Sequence, residues 1–173
     1  MEPPQFPAGP VEPLPSDAMR RRSELIATIE NAPAELRRIV SPLSQSQLDT
    51  RYKNWTIRQI IHHIADSHVN SYIRFKWALT EDRPTIKAYD DGRWAELADS
   101  RAGDIQAPLA LLDGLHACWV QLLRAMSAEQ YQREFIHPDT GKTINLIEAL
   151  HYYAWHCRHH TAQIAWRQKQ HDW

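Results

Sequence analysis

The chain has 173 residues, 43% of them hydrophobic, which is enough to bury a substantial core without disulfide or metal support. Its 20 lysine and arginine residues against 21 acidic residues leave a net charge of -1, so the charge balance indicates neither a nucleic-acid nor a membrane partner. We therefore expect one domain over residues 1–173.

The first 15 residues, MEPPQFPAGPVEPLP, are predicted to form an extended arm, because their prolines exclude a regular helix. They lack the basic and apolar regions of a signal peptide. No stretch of the sequence approaches the roughly 20 apolar residues of a membrane span. These features predict a cytoplasmic protein.

A long first helix is predicted after the arm. Ser16 and Asp17 form an N-cap signal, and the apolar pattern that follows them predicts a helix ending near Val40. Pro33 lies inside this pattern and predicts a kink or break near Asn31, because proline has no backbone N–H.

Two further helices are predicted in the middle of the chain. One begins at Thr56, as its N-cap, and runs to about Leu79. The other spans residues 106–126. The long link between them, with a short helix predicted at 91–100, suits a crossover between helices that are not antiparallel neighbours.

A fourth helix is predicted near the end of the chain. It follows a turn signal at residues 138–141, with Thr143 as its N-cap, and runs to about Lys169. No segment of note has the alternating pattern of a strand. The predicted fold is all-α, a four-helix bundle.

The run HYYAWHCRHHTAQIAW on the fourth predicted helix is the strongest functional signal. His156 and His160 are four residues apart, so they lie on one helix face about one turn from each other. At about 100° per residue, His160 lies about 40° and His156 about 80° from the centre of the apolar stripe, on the same flank. His159 and His151 lie farther from it. The periodicity therefore selects His156 and His160 as a pair that can bind one metal ion.

A second histidine-rich stretch, HHIADSH at residues 62–68, can supply a third ligand. Three histidines around a divalent ion leave one coordination position open, which is typical of a catalytic site. His62 points away from the apolar stripe and His68 points almost along it, whereas His63 lies on a flank beside small side chains. The helical angle therefore favours His68 as the third ligand, with His63 as the alternative.

The remaining notable side chains have simpler interpretations. Cys118 and Cys157 are expected to be buried, reduced thiols. Asp66 could orient a ligand histidine, but it lies roughly 60° around the helix from His63, on its far side. His62 and His159 are expected around the site or on the surface, His68 as a hydrogen-bonded core residue if it is no ligand, and His151 and His171 in solvent. The tryptophans are expected in bundle packing and a dimer seam.

Three long segments resemble the YfiT group of the DinB-like superfamily: NWTIRQIIHHIADSHVNSYIRFKWALTE, IKAYDDGRWAEL and FIHPDTGKTINLIEALHYYAWHCRHHTAQI. Residues 6–9, Phe-Pro-Ala-Gly, are similar to the Tyr-Pro-Ile-Gly motif of that group, and the resemblance covers about residues 5–168. It implies a four-helix bundle with up-down-down-up topology that is usually a homodimer. It also implies one zinc or nickel ion held by three histidines.

Matching the motifs of the group residue by residue places the metal ligands at His63, His156 and His160. The resemblance therefore selects His63 over His68. Gln163 stands where relatives often carry another histidine, so a fourth imidazole is not expected. Ala8 replaces the isoleucine of the N-terminal motif, which should alter packing of the arm more than chemistry.

Three neutral imidazoles leave the charge of a divalent ion uncompensated, so a water in its open position can have a pKa near 7. This predicts a metal-dependent hydrolase acting on a small molecule, and the resemblance is compatible with this activity and with the S-transferase alternative that follows. A thiol in that position would also be deprotonated, which makes a low-molecular-weight-thiol S-transferase the alternative. No convincing general base is present. A non-enzymatic metal-binding dimeric bundle is a further alternative.

Overall fold

The structure is a computed structural model that describes residues 2–173. In chain order its elements are α1 (Arg22–Val40), α2 (Gln45–Leu48), β1 (Arg51–Tyr52), β2 (Trp55–Thr56), α3 (Ile57–Thr80), α4 (Asp91–Trp94), α5 (Ala98–Ala102), α6 (Gln106–Ala125), β3 (Glu134–Ile136), β4 (Thr143–Asn145) and α7 (Leu146–His171). None of the helices in residues 2–173 combines the length and apolar character needed to cross a membrane.

Four long helices, α1, α3, α6 and α7, form the bundle. Helix α1 packs against α6 and α7, and α3 packs against the same two helices, so α1 and α3 lie across the bundle from each other. The segment that carries α4 and α5 connects α3 to its neighbour α6, as the predicted crossover requires.

The core has two apolar clusters, one toward each end of the bundle. One cluster includes Phe75, Trp119 and Leu150, and the other includes Ile61 and Ile164. Helix α3 contributes its first turns to the second cluster and its last turns to the first, while α7 does the reverse. The buried histidines of both helices therefore lie between the two clusters.

The first long helix starts later than the sequence predicts. Residues 16–21 form successive turns instead, with Ala18 donating to the Pro15 carbonyl and Arg20 to the Asp17 carbonyl. These turns bury Ala18 in the core. No side chain caps the first turn of α1, whose N-cap residue is Arg21, so the predicted N-cap at Ser16 and Asp17 was wrong.

A kink or a break was predicted near Asn31, and the break does not occur, because helix α1 continues through Pro33. Proline at position 33 leaves the Ile29 carbonyl without its usual helical donor four residues on. That carbonyl instead accepts a hydrogen bond from Nδ1 of His116, on α6, at 2.6 Å. The buried acceptor is therefore satisfied and the helix persists.

Two short antiparallel hairpins stand where the sequence predicts no strands. Strand β1 pairs with β2, and β3 pairs with β4. Their two- and three-residue strands are too short to show an alternating pattern. Because β4 includes Thr143, the cap of α7 moves to Asn145, whose side chain accepts from the Glu148 N–H at 2.9 Å.

The N-terminal arm is held against the bundle by side chains that donate to its backbone. Tyr52 donates to the Pro4 carbonyl, and Trp155 Nε1 donates to the Gly9 carbonyl at 2.9 Å. His151 Nε2, expected in solvent, donates to the carbonyl of Glu12 at 2.9 Å. The arm therefore has defined attachment points along its length.

Candidate metal centre

Three buried histidines from two helices converge at one point of the bundle. His63 Nε2, on α3, lies 3.3 Å from His156 Nε2, on α7. His160 Nε2, one turn farther along α7, lies 3.2 Å from the same His156 atom. One ligand atom from each residue falls within 4.8 Å of the others, so the three side chains could hold a metal ion.

Helix caps and aromatic packing place these side chains. Helix α3 begins with a capping box, in which the Thr56 hydroxyl accepts from the backbone of Gln59 and the Gln59 side chain accepts from Thr56 N–H. The His63 ring then packs against Trp55, with centroids 4.6 Å apart. The first residue of α3 and the rotation of this helix about its axis are therefore fixed within two turns of His63.

Two of the three nitrogen separations match those of a tetrahedral metal centre, and the third is within 4.8 Å. Two nitrogens bound to one zinc ion at about 2.0–2.1 Å lie about 3.3–3.4 Å apart in that geometry. The Nε2 pairs at His156 show 3.3 Å and 3.2 Å. Since no fourth protein ligand joins the three histidines among residues 2–173, one position of the tetrahedron would stay open.

Gln163 fixes the ring of His160. Its Oε1 accepts from His160 Nδ1 at 2.8 Å, and its Nε2 donates to His159 Nε2 at 3.0 Å. His159 in turn stacks on Trp155, with an interplanar angle of 18°. Because His160 donates its Nδ1 proton in a hydrogen bond to Gln163, its Nε2 keeps a lone pair, which faces the other two histidines.

Burial keeps the three histidines neutral. Desolvation lowers the pKa of His63 to about 4 and is the largest cause that lowers the pKa values of His156 and His160 well below 6.5. A neutral imidazole has one nitrogen free to bind a cation, whereas an imidazolium has none. All three rings are therefore available as ligands at neutral pH.

His68, which the helical angle favours as a ligand, lies behind His156 instead. It is fully buried, and its Nε2 is 3.1 Å from His156 Nδ1, the ring nitrogen that faces away from His63. Its own Nδ1 lies 2.8 Å from Nε2 of His116. The structure thus confirms a hydrogen-bonded core histidine, and the angle-based preference for His68 as the third member was wrong.

A cavity of about 620 Å³ opens beside the three histidines. Arg74 contributes a positive charge to its wall and donates from Nη1 to the Tyr153 hydroxyl at 3.3 Å. The other side chains that line the cavity are a mixture of aromatic and charged groups. They include Trp55, Tyr89, Asp91, Phe135, Lys142, Glu148 and Tyr152. The space and polarity suit a small organic molecule.

Asp66 does not orient His63, because no hydrogen bond joins the two side chains in the described part of the chain. Burial, reinforced by the nearby charge of Asp99, raises the pKa of the Asp66 carboxyl to about 6. Orientation of the candidate ligands comes from Gln163 and His68 instead. His116, which completes the buried histidine network, carries no local sequence signal.

The two cysteines lie in different environments, and both are free. Cys157 is buried, its Sγ lies 3.9 Å from His68 Nε2, and desolvation raises the pKa of its thiol to about 12. Cys118 is exposed on α6, because its side chain faces outward from the bundle, so its predicted burial was wrong. Neither thiol is part of the group that could hold a metal ion.

The sequence and structure are similar to those of known proteins. The chain is 44% identical over 170 residues to a Bacillus subtilis protein named "Putative metal-dependent hydrolase YfiT", covering 97% of this chain and 96% of that protein. It is 50% identical over 150 residues to a Bacillus cereus protein with the same description, covering 86% of each.

The solved structure of YfiT from Bacillus subtilis, a four-helix bundle of unusual topology, superimposes with a TM-score of 0.94 at 44% identity and covers 97% of each chain. This match confirms the predicted bundle and its topology. A mycothiol-dependent maleylpyruvate isomerase has a TM-score of 0.61 at 18% identity, covering 79% of this chain and 59% of that one, and so shares the fold alone. The model of the DinB superfamily matches residues 28–164. The chain therefore belongs to the DinB superfamily.

Proposed function

We propose that this protein is a metal-dependent hydrolase in which His63, His156 and His160 hold one divalent ion, zinc or nickel, per subunit. The observation that carries the proposal is the convergence of three buried, neutral imidazoles on one point, with Nε2 separations of 3.2 Å and 3.3 Å, beside a cavity of about 620 Å³. The names of the curated relatives agree with this activity.

When bound, the ion supplies a Lewis acid with an open position and lowers the pKa of a water there to near 7. The chain's own residues set the conditions for that chemistry. The three imidazoles are neutral, so they leave the charge of the ion uncompensated. Arg74, in the cavity wall, can attract an anionic part of a substrate.

An S-transferase that uses a low-molecular-weight thiol is the alternative reaction, since a thiol could occupy the same open position. The isomerase that depends on mycothiol shares only the fold with this chain, so it does not favour that reaction here. A metal store would tend to close the fourth position with another ligand. Cys157 is the nearest thiol in sequence, yet its Sγ contacts His68 rather than the three converging Nε2 atoms.

The experiment is metal analysis of the purified protein followed by a turnover screen. The screen uses ester, amide and phosphoester substrates, each with and without a small thiol, and compares the wild type with His63→Ala. We expect one equivalent of metal and thiol-independent hydrolysis in the wild type only. Thiol-dependent consumption of an electrophile would contradict the hydrolase and support the S-transferase. Hydrolysis of equal rate in His63→Ala would contradict the proposed site.

A further inference from the structure

A line of hydrogen bonds leads from His156 through the bundle to the backbone of α1. His156 Nδ1 lies 3.1 Å from His68 Nε2. His68 Nδ1 lies 2.8 Å from His116 Nε2, and His116 Nδ1 lies 2.6 Å from the carbonyl oxygen of Ile29. The three residues are at most 4% exposed. Three helices therefore contribute imidazoles to one connected chain.

The chain has only one consistent direction. The Ile29 carbonyl can only accept, so His116 carries its proton on Nδ1. A neutral imidazole has one donor and one acceptor, so His116 Nε2 accepts from His68 Nδ1. By the same rule His68 Nε2 accepts from His156 Nδ1. The Nε2 lone pair of His156 is then left to face His63, 3.3 Å away.

The anchor of the chain originates in Pro33. A helical residue at this position would normally donate its N–H to the carbonyl of Ile29, four residues earlier. Proline has no N–H, and its ring pushes that carbonyl away from the helical position. Ile29 therefore offers an unpaired acceptor inside the core, and His116 Nδ1 takes it at 2.6 Å.

We propose that His116 and His68 are positioning residues that fix the tautomer and orientation of His156, so that its Nε2 lone pair is presented to the metal. This inference rests on the metal site proposed above. Without the acceptor at His116, His68 could move its proton to Nε2 and donate to His156 Nδ1. His156 would then carry its proton on Nε2, where it could not bind an ion.

The first test compares zinc affinity, measured by competition with a chelator, in His116→Leu and His116→Gln. Leucine removes the acceptor, and we expect zinc to bind about tenfold to hundredfold more weakly. Glutamine keeps a side-chain carbonyl that can accept from His68, and we expect affinity within about threefold of the wild type. Equal affinity in all three proteins, or equal losses in both variants, would overturn the proposal.

Tyr131→Phe is the matched control. It also removes one buried hydrogen bond, from the Tyr131 hydroxyl to the Leu123 carbonyl at 2.6 Å, but lies outside the histidine chain. We expect a lower melting temperature with unchanged zinc affinity. A loss of affinity as large as that of His116→Leu would assign the effect to general destabilisation and contradict the positioning role.

The second test reads the tautomers directly, by ¹⁵N NMR of the histidine rings in the wild type, with zinc and without it. We expect His116, His68 and His156 all to be protonated on Nδ1. Protonation of His68 on Nε2 would overturn the proposal even if every variant failed to fold. A wild type that shows the expected tautomers but binds no zinc would instead contradict the proposed function, so the two failures are distinguishable.

Discussion

His68 Nε2 lies 3.1 Å from His156 Nδ1, on the opposite side of the His156 ring from His63. The two nitrogens of His156 thus face two different environments: Nδ1 faces His68 in the core, and Nε2 faces the converging histidines. His68 points along the core stripe of α3, as its helical angle predicts, and for that reason it lies behind the site. The candidate metal position is on the flank, where the cavity opens.

The proposed ligand set predicts which single substitutions remove metal. His63→Ala, His156→Ala and His160→Ala should each abolish stoichiometric binding, because two imidazoles and solvent hold a divalent ion much more weakly than three. His159→Ala should retain about one equivalent, since His159 bonds to Gln163 rather than to the converging atoms. Elemental analysis of the purified variants provides the measurement. Full metal content in His63→Ala would place the third ligand elsewhere.

Removal of metal by a chelator should abolish turnover while leaving the bundle folded. The two apolar clusters lie on either side of the histidines and do not include them, so most of the buried apolar surface is independent of the ion. Circular dichroism should show unchanged helicity and a modestly lower melting temperature. Collapse of the fold would show that the ion is a structural staple, as in zinc fingers.

The metal-free protein should lose stability as pH falls below about 6.5. Between that pH and about 4 the unfolded chain protonates His63, whereas burial keeps the folded ring neutral, so acid favours unfolding. His68, His156 and His160 act in the same direction. Each contributes a slope of up to about 1.4 kcal/mol per pH unit.

Asp66 opposes this trend. Its pKa is raised from 3.8 to about 6, so between those values the folded state binds a proton that the unfolded chain lacks, and acid favours folding. Burial also lowers the pKa values of His62, His116 and His159, so one carboxyl stands against seven histidines and the net effect of acid is a loss of stability. Urea unfolding at pH 8, 6.5 and 5.5 should show a smaller decrease in stability over the first interval, which ends where the unfolded histidines are half protonated, and a larger decrease over the second. A constant stability down to pH 5.5 would contradict burial of neutral histidines.

Arg58 should be among the most important polar residues for stability. Its buried guanidinium donates to Asp49 Oδ1 at 3.0 Å, to the Gly103 carbonyl at 2.8 Å and to Gln45 Oε1 at 2.8 Å, which ties α2 and the crossover to α3. Arg58→Met keeps the apolar stem but loses all three bonds, at a cost of about 2–4 kcal/mol. Denaturant unfolding measures this loss.

Arg124→Met is the matched control for Arg58. Arg124 pairs with Glu30 at 2.7 Å, but both side chains are largely solvent-exposed. Its replacement should cost less than about 1 kcal/mol, because solvent screens an exposed ion pair. An equal loss of unfolding free energy in Arg58→Met and Arg124→Met would contradict the idea that burial strengthens the interactions of Arg58.

Strong local signals predicted most of the bundle and part of the site. Thr56 begins α3 as its N-cap because the capping box lies entirely within four residues. The pairing of His156 with His160 follows from helical spacing alone. The choice of His63 over His68 as the third candidate ligand needed the family resemblance. The helical angle of a residue gives the direction of its side chain relative to the core, but it does not show where a cavity lies.

Features that depend on contacts distant in sequence could not be predicted in this way. His116 is 87 residues from Ile29, and nothing local to either indicates their hydrogen bond. The same holds for the persistence of α1 through Pro33, which depends on that bond. The exposure of Cys118 is different, because helical spacing alone places Cys118 about 100° around α6 from the buried Trp119.

The most direct measurement is anomalous diffraction from a crystal of the zinc-loaded protein, recorded on both sides of the zinc edge. The proposed site predicts one peak per subunit, about 2.0–2.1 Å from Nε2 of His63, His156 and His160, with the fourth position open to the cavity. A peak coordinated by His68, a site closed by a fourth protein ligand, or no peak near these three nitrogens would contradict it.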